Sequence, residues 1–258
     1  MRALNPNAVT ERADATNAWA RIYVRSYLTL RLAIGAIGIA LPFVMVLVVD
    51  LLEGNNPATR GSFSAYYWSG ARDVFVAALC VIGVFLIGYK FRSKRASSTN
   101  FFESRMASVA GVAAIVVAFF PTNRPAVEAG ARSIPSTPLQ DLLGETAVRN
   151  IHYTAAVIFI LMLAYISFHF AAAEGPRTAR PPEQIRLQKW SPGQWQTFHR
   201  ICGGAIIAAV AGFGLVKLLN LPDKHALFIT ELVATVSFGL SWTTKGWEWR
   251  ILKLANPR

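Results

Sequence analysis

Residues 151–173 read IHYTAAVIFILMLAYISFHFAAA and contain no Asp, Glu, Lys or Arg. An α-helix needs about 20 mainly apolar residues to cross the hydrocarbon core of a bilayer. Five further runs approach that length, at 28–51, 72–90, 105–121, 200–219 and 226–243. The run at 105–121 is short and the run at 226–243 contains Glu231, so these two are the weakest spans. The sequence predicts an all-α integral membrane bundle of six transmembrane helices.

The composition fits this class. Of the 258 residues, 53% are hydrophobic and 16% are charged, against about a quarter charged in ordinary soluble domains. Two Cys exclude a disulfide scaffold. Residues 1–27 are polar, carry scattered Arg and lack a small-residue cleavage site, so we expect a cytoplasmic segment and not a cleavable signal. The six-helix domain then covers 28–246, and 247–258 form a cytoplasmic tail.

The distribution of cations predicts the orientation, because cytoplasmic loops of membrane proteins are enriched in Lys and Arg. Six spans place 19 of the 26 cations on the side of both termini and 7 on the other side. The net charges are +13 and −1. Both termini are therefore predicted to be cytoplasmic, in the cell inner membrane. The topology also explains the basic net charge of +12, so we expect no nucleic-acid partner.

Several polar residues fall at the outer ends of the predicted spans. Ionisable groups at membrane depth are costly and are therefore candidates for function. The outer loop before the second span also contributes hydroxyl groups, from Ser62 and Ser64 as well as from tyrosines. We predict that these side chains line a polar cavity at the outer half of the bundle, with Asp73, His152 and Glu231 converging in it. The candidate ligand-binding residues are Tyr66, Tyr67, Arg72, Asp73, His152 and Glu231.

Glu231 lies six residues beyond His225, about 9 Å deeper along a helix. A carboxylate at that depth needs a partner, and the predicted topology offers Arg72 or Lys217. We expect one of these cations to neutralise it.

Small residues and helix signals predict local features. Glycines in the spans are expected to allow close approach of helices: Gly35, Gly38, Gly203, Gly204, Gly212 and Gly214. In the long outer connection, Thr137, Pro138 and Gln140 match a capping box with Pro at the first helical position, which predicts a short helix over 138–143. Trp242, with Trp247 and Trp249 and the neighbouring Lys245 and Arg250, is expected to anchor the inner membrane boundary.

No HExxH, CxxC, GxSxG or Walker glycine motif is present. The four histidines would suffice for two bis-histidine haems. However, His199 and His225 begin their spans beside Arg200 and Lys224, where haem ligands would be exposed to water. We therefore expect no cofactor and no resident metal, and we interpret His169 as a boundary residue.

The segments SFSAYYWSGARDVFVAALCVIGVFLIGYK at 62–90, AFFPTN at 118–123, IHYTAAVIFILMLAYISF at 151–168 and ELVATVSFGLSWTTKG at 231–246 resemble a bacterial family of six-helix membrane proteins without an assigned function. A more distant similarity is to the Frag1/DRAM/Sfk1 group, which implies a role in lipid organisation or membrane trafficking. A weaker one is to the alkaline ceramidase and progestin receptor superfamily, which implies a zinc-dependent intramembrane amidase. Ser64, Asp73 and His152 match part of that pattern, but its HxxxH is missing.

Three functions are compatible with the sequence. The favoured one is a multi-pass protein that binds membrane lipid or a small molecule in the outer cavity without catalysis. The first alternative is a non-catalytic subunit of a larger membrane complex, packed through a small-residue face around Gly203, Gly204 and Gly212. The second is a metal-dependent intramembrane hydrolase, with the metal held by Asp73, His152 and a third ligand.

Overall fold

A computed structural model of the chain describes residues 6–53, 60–88, 98–125, 134–173 and 191–254. The described residues form seven α-helices and one 3₁₀-helix, with no strand among them. The elements are α1 (Pro6–Glu53), the 3₁₀-helix (Ser64–Trp68), α2 (Arg72–Gly88), α3 (Ser98–Phe119), α4 (Pro138–Leu143), α5 (Glu145–Ala173), α6 (Pro192–Leu218) and α7 (Ala226–Leu254). The all-α prediction is confirmed.

Among the described residues, four helices are long and apolar enough to cross a membrane: Thr29–Glu53, Glu145–Ala172, Gly193–Leu218 and Ala226–Lys245. They coincide with four of the predicted spans, including the one that contains Glu231. The other two predicted spans are also helical. However, α2 has 17 described residues, and the apolar part of α3, Ser104–Phe119, is shorter than a full span. The described residues thus support a multi-pass membrane protein with four candidate spans.

The long helices form a closed ring in chain order. Each of α1, α2, α3, α5, α6 and α7 packs against the next, α7 packs back against α1, and α5 also contacts α7. Apolar side chains fill the interior, including those of Ile34, Phe75, Leu163, Phe238 and Trp242. Helix α1 begins at Pro6, well before the predicted span, and continues through Pro42 to Glu53.

Two helix crossings depend on glycine. On α2 and α3, a Cβ built on Gly111 would lie 2.4 Å from the carbonyl oxygen of Gly83, and one on Gly83 would lie 2.7 Å from that of Gly111. On α1 and α7, Gly35 and Gly239 face each other in the same way, with 2.9 and 2.8 Å to the opposite carbonyl oxygens. Such distances leave no room for any side chain, so glycine sets these crossings.

The predicted role of the glycines is thus confirmed only in part. Gly35, Gly38 and Gly203 approach neighbouring helices or side chains, as expected. Within this chain the prediction was wrong for three glycines of α6, where no atom of the described residues lies within 4 Å of a built Cβ: Gly204, Gly212 and Gly214.

The short helix predicted over 138–143 is confirmed. The Thr137 hydroxyl accepts from the backbone N–H of Gln140 at 3.4 Å, and the Gln140 side chain accepts from the Thr137 N–H at 3.0 Å. The same device begins α6, where Ser191 and Gln194 form a capping box before the span. These caps satisfy N–H groups that a helix start leaves without partners.

Candidate functional site

Residues 60–71, here called the end segment, contact both His152 and Glu231, two of the polar residues predicted to lie near this end of the bundle. The end segment links α1 to α2 and contains the 3₁₀-helix. Its turn is stabilised internally, because the Ser69 hydroxyl donates to the Tyr66 carbonyl at 2.7 Å and accepts from the Ala71 N–H at 3.2 Å. Small residues and serines therefore allow this stretch to fold back across one end of the ring instead of extending into a loop.

Glu53, the last residue of α1, holds both ends of the end segment. One carboxylate oxygen accepts from the Arg60 guanidinium at 2.7 Å, and the other accepts from the backbone N–H of Gly70 at 2.9 Å. The segment is thereby closed into a loop against the helix that precedes it.

Glu231 of α7 binds the middle of the end segment. Its Oε2 accepts from the backbone N–H of Phe63 at 2.6 Å. Nearby, the Phe228 N–H donates to the Gly61 carbonyl at 3.1 Å, and the Phe63 and Phe228 rings meet edge to face at 5.1 Å. A backbone amide in this position satisfies a carboxylate that would otherwise be costly to bury.

The prediction that Arg72 or Lys217 neutralises Glu231 is therefore wrong. Lys217 pairs with Asp223 in the connection between α6 and α7. Arg72 donates to the Tyr67 hydroxyl at 2.7 Å, and its guanidinium lies 4.4 Å from the centre of the Tyr67 ring. The hydrogen bond and the cation–π contact account for Arg72 without any carboxylate.

His152, in the second turn of α5, binds Ser64, the residue that follows Phe63 in the end segment. Its Nε2 lies 2.8 Å from the Ser64 hydroxyl, and its Nδ1 lies 2.5 Å from the carbonyl oxygen of Phe120, just after α3. A carbonyl only accepts, so Nδ1 carries a proton and donates it. In the neutral imidazole, Nε2 is then the acceptor for the Ser64 O–H.

The two tyrosines predicted to bind ligand do not line an open cavity. Tyr66 and Tyr67 are buried, and Tyr66 packs towards Phe228 at 6.4 Å between ring centres. Burial raises the pKa of the Tyr66 hydroxyl, and a backbone hydrogen bond from Arg60 opposes part of that rise. Trp68, from the same turn, donates its indole N–H to the Thr122 carbonyl at 3.2 Å. The end segment thus fills the place where the sequence predicts a cavity.

Of the three residues predicted to converge, two contact the end segment and the third is exposed. Glu231 binds Phe63 and His152 binds the next residue, Ser64, so α7 and α5 each bring one polar side chain to the end segment. Asp73 is exposed on the first turn of α2. Within the described ranges, no group of three or more His, Cys, Asp or Glu side chains is arranged to hold a metal ion. The sequence places the Ser64 hydroxyl in the predicted cavity, and the ceramidase-like pattern groups Ser64 with Asp73 and His152. No residue spacing predicts the hydrogen bond between Ser64 and His152.

An apolar groove lies on the outer surface between α3 and α5, with a cavity volume of about 630 Å³. Its walls are mainly aliphatic, formed by Val109, Val112 and Val116 of α3 and by Ile151, Ala155 and Ile158 of α5. The groove follows about two helical turns, or about 12 Å. Asn150 and Val116 lie at the end nearer the end segment.

A second buried polar group lies at the opposite end of the ring. His199 Nδ1 lies 2.8 Å from the Ser241 hydroxyl, and both residues are fully buried. The expectation that His199 is exposed to water at a helix end is therefore wrong. Trp242 and Lys245 are also buried, so they do not form a boundary anchor. The side chains of Trp247, Trp249 and Arg250 lie outside the described ones.

Comparisons with known proteins give no relative: no protein-family model, curated protein or solved structure matches the chain.

Proposed function

We propose that this chain is a six-span protein of the cell inner membrane that holds the acyl chain of a membrane lipid in the groove between α3 and α5. The spans would be α1, α2, α3, α5, α6 and α7, with both termini in the cytoplasm. Membrane lipids are then its principal partners. The resemblance to lipid-related membrane families remains an expectation consistent with this function.

The contacts at the end segment support the span count. Four helix ends meet this one segment, through Glu53 at the end of α1, Thr122 after α3, His152 near the start of α5 and Phe228 near the start of α7. Helices whose ends alternate in this way run antiparallel around the ring. Because α2 packs against α1 and α3 packs against α2, a membrane that α1 crosses would also surround α2 and α3. The separation of 19 from 7 cations supports the orientation.

The groove is the observation that carries the proposal. Its side chains face outward from the ring, and Val112 is 54% exposed. Water in an apolar furrow at membrane depth finds few hydrogen-bond partners, whereas an acyl chain fills it with favourable contacts. Asn150 provides a polar group at the end nearer the end segment, where a lipid's polar part would lie.

A groove-filling substitution tests this function. Val112→Trp places an indole in the groove, and Val84→Trp is the matched control because Val84 is 58% exposed on α2 outside it. We expect the wild type and the control to retain a bound phospholipid after delipidation, measured by native mass spectrometry. Val112→Trp should weaken retention at least about tenfold, or about 1.4 kcal/mol. Equal retention in all three proteins would contradict the proposal.

A role as a subunit of a larger complex is the second candidate, supported by α6. Its span has the smallest buried share of the four, 17% against 33–44%, and its glycines Gly204 and Gly212 have open space beside them. Small residues on an uncovered helix face allow a partner helix to approach closely. Blue native electrophoresis of solubilised native membranes tests this role, because Gly212→Leu should dissociate a large species into the free chain.

A further inference from the structure

We propose that Ser64 is a nucleophile activated by His152, and that it accepts an acyl group from a membrane lipid ester. The lipid-ester part rests on the proposed function, since the groove would hold the acyl chain. The activation of Ser64 rests on the geometry of three residues and does not depend on the groove.

The first observation is the arrangement of nucleophile, base and orienting group. Ser64 Oγ lies 2.8 Å from His152 Nε2, and His152 Nδ1 is fixed by the Phe120 carbonyl. The carbonyl selects the tautomer in which the Nε2 lone pair points at the serine hydroxyl. This is the arrangement by which a histidine acts as a general base towards serine, with a third group orienting the imidazole. Here a backbone oxygen fills the position that a carboxylate occupies in the familiar triad.

The second observation is the position of this pair relative to the groove. Ile151 lines the groove and the next residue, His152, binds Ser64. On α3, Val116 lines the groove one turn, about 6 Å, before Phe120. The pair therefore lies at the level where the groove ends. A lipid ester lies at the polar end of its acyl chain, so a chain in the groove brings the ester to the level of Ser64.

The third observation is the burial of both residues. Ser64 is 5% exposed and His152 is 1% exposed. Substrate therefore reaches them by parting the side chains at the groove end, from the lipid side. Burial also makes the hydrogen bond between the two residues stronger than it would be in water.

The chemistry balances as acyl transfer. Ser64 Oγ attacks the ester carbonyl carbon while its proton moves to His152 Nε2. The bond from that carbon to the lipid alcohol oxygen breaks, and the departing oxygen takes the proton from His152. Water then attacks the acyl-serine, His152 accepts and returns a proton, and a fatty acid and free Ser64 are released. No oxidation or reduction occurs.

Glu231 is a positioning residue in this scheme. It binds the backbone N–H of Phe63, the residue directly before Ser64. This hydrogen bond fixes the end segment from the α7 side while His152 binds it from the α5 side. The serine hydroxyl is thus held within reach of the imidazole by two helices.

The test uses the full chain in lipid nanodiscs and an alkyl fluorophosphonate, which reacts covalently with activated serines. We expect the probe on Ser64, identified by peptide mass spectrometry, and equal labelling of Ser62→Ala, a buried serine two positions away. Ser64→Ala should lose the label, and His152→Gln should label at least about 100-fold more slowly. Unfolding temperatures of all variants report whether they remain folded.

A wild-type protein whose Ser64 stays unlabelled overturns the inference without reference to any variant. Labelling that His152→Gln leaves unchanged also overturns it. Failure of the two proposals can be distinguished, because phospholipid retention is measured separately. Retention without labelling leaves the lipid-binding function and removes the nucleophile. Labelling without retention, together with hydrolysis of a short-chain ester such as p-nitrophenyl butyrate, supports Ser64 and removes the groove function.

Discussion

At the scale of single residues, the chain satisfies costly polar groups with backbone atoms. Glu231 accepts from the Phe63 N–H, and His152 donates to the Phe120 carbonyl. Residue types identify groups that need partners, but every residue offers a backbone N–H or C=O. The prediction of a cation beside Glu231 considered charge alone. Lys217 pairs with Asp223 instead, and Arg72 binds Tyr67.

The hydrogen bond at Glu231 predicts different effects for two substitutions. Glu231→Gln keeps an oxygen that can accept from Phe63, so we expect the stability to change little. Glu231→Leu leaves a backbone N–H without its acceptor and should lower the free energy of unfolding by about 1–3 kcal/mol. Denaturant unfolding in detergent measures both. A Gln variant as unstable as the Leu variant would show that the negative charge itself is required.

The ion pair between Lys217 and Asp223 predicts a weak pH dependence. Its hydrogen bond lowers the pKa of Asp223, so the native state favours the carboxylate. The resulting stability is complete above the unfolded value, about 3.9, and is lost as pH falls through the lower folded value. Asp223→Asn should flatten this acid limb slightly, because the pair is exposed.

A double-variant cycle with Lys217→Gln checks the origin of the effect. Thermal unfolding is followed from pH 7 down to about pH 2 for the wild type, both single variants and the double variant, because the loss of stability is expected below the unfolded pKa of Asp, about 3.9. If the effects of the two single substitutions simply add, the ion pair contributes nothing.

At the scale of helices, two crossings in the described part of the chain are set by close backbone contact. Gly83 and Gly111 bring α2 and α3 together, and Gly35 and Gly239 do the same for α1 and α7. The exposed glycines of α6 look identical in the sequence. Only their neighbours in space separate the two kinds.

Matched alanine substitutions measure this difference. Gly111→Ala places a Cβ 2.4 Å from the Gly83 carbonyl oxygen and should destabilise the protein by about 1–3 kcal/mol. Gly212→Ala, where the added Cβ meets nothing within 4 Å, should change stability by no more than about 0.5 kcal/mol. Unfolding temperatures in one detergent provide the comparison. Equal effects at both positions would mean that the α2–α3 contact is looser than described.

At the scale of the whole molecule, the end segment joins four helices that are far apart in the chain. It contacts α1 through Glu53, α7 through Glu231 and α5 through His152, and Trp68 reaches the Thr122 carbonyl beyond α3. This segment closes the ring at one end. We expect the closed end to face away from the cytoplasm, because the sequence assigns 7 of the 26 cations to this side of the six predicted spans and 19 to the other.

Cysteine labelling tests that orientation. In a background with Cys80→Ala and Cys202→Ala, single cysteines replace Ser136, beside α4, and Thr197, in α6; both positions are exposed. A membrane-impermeant maleimide should label position 136 in intact cells and position 197 only after permeabilisation. The reverse pattern would invert the topology and place the end segment in the cytoplasm.

The sequence by itself determined the helical class, the positions of the apolar helices and the capped helix at 138–143, because hydrophobic length and capping are local properties of consecutive residues. It also identified His152, Glu231 and Ser64 as polar residues near one end. Only the tertiary structure decided that Ser64 binds His152, that Phe63 binds Glu231, that Asp73 stays exposed and that Gly111 has no room for a side chain where Gly212 has open space. These outcomes depend on which backbone atoms and side chains of distant segments meet in space, and such meetings follow from packing of the whole ring, which no local pattern records.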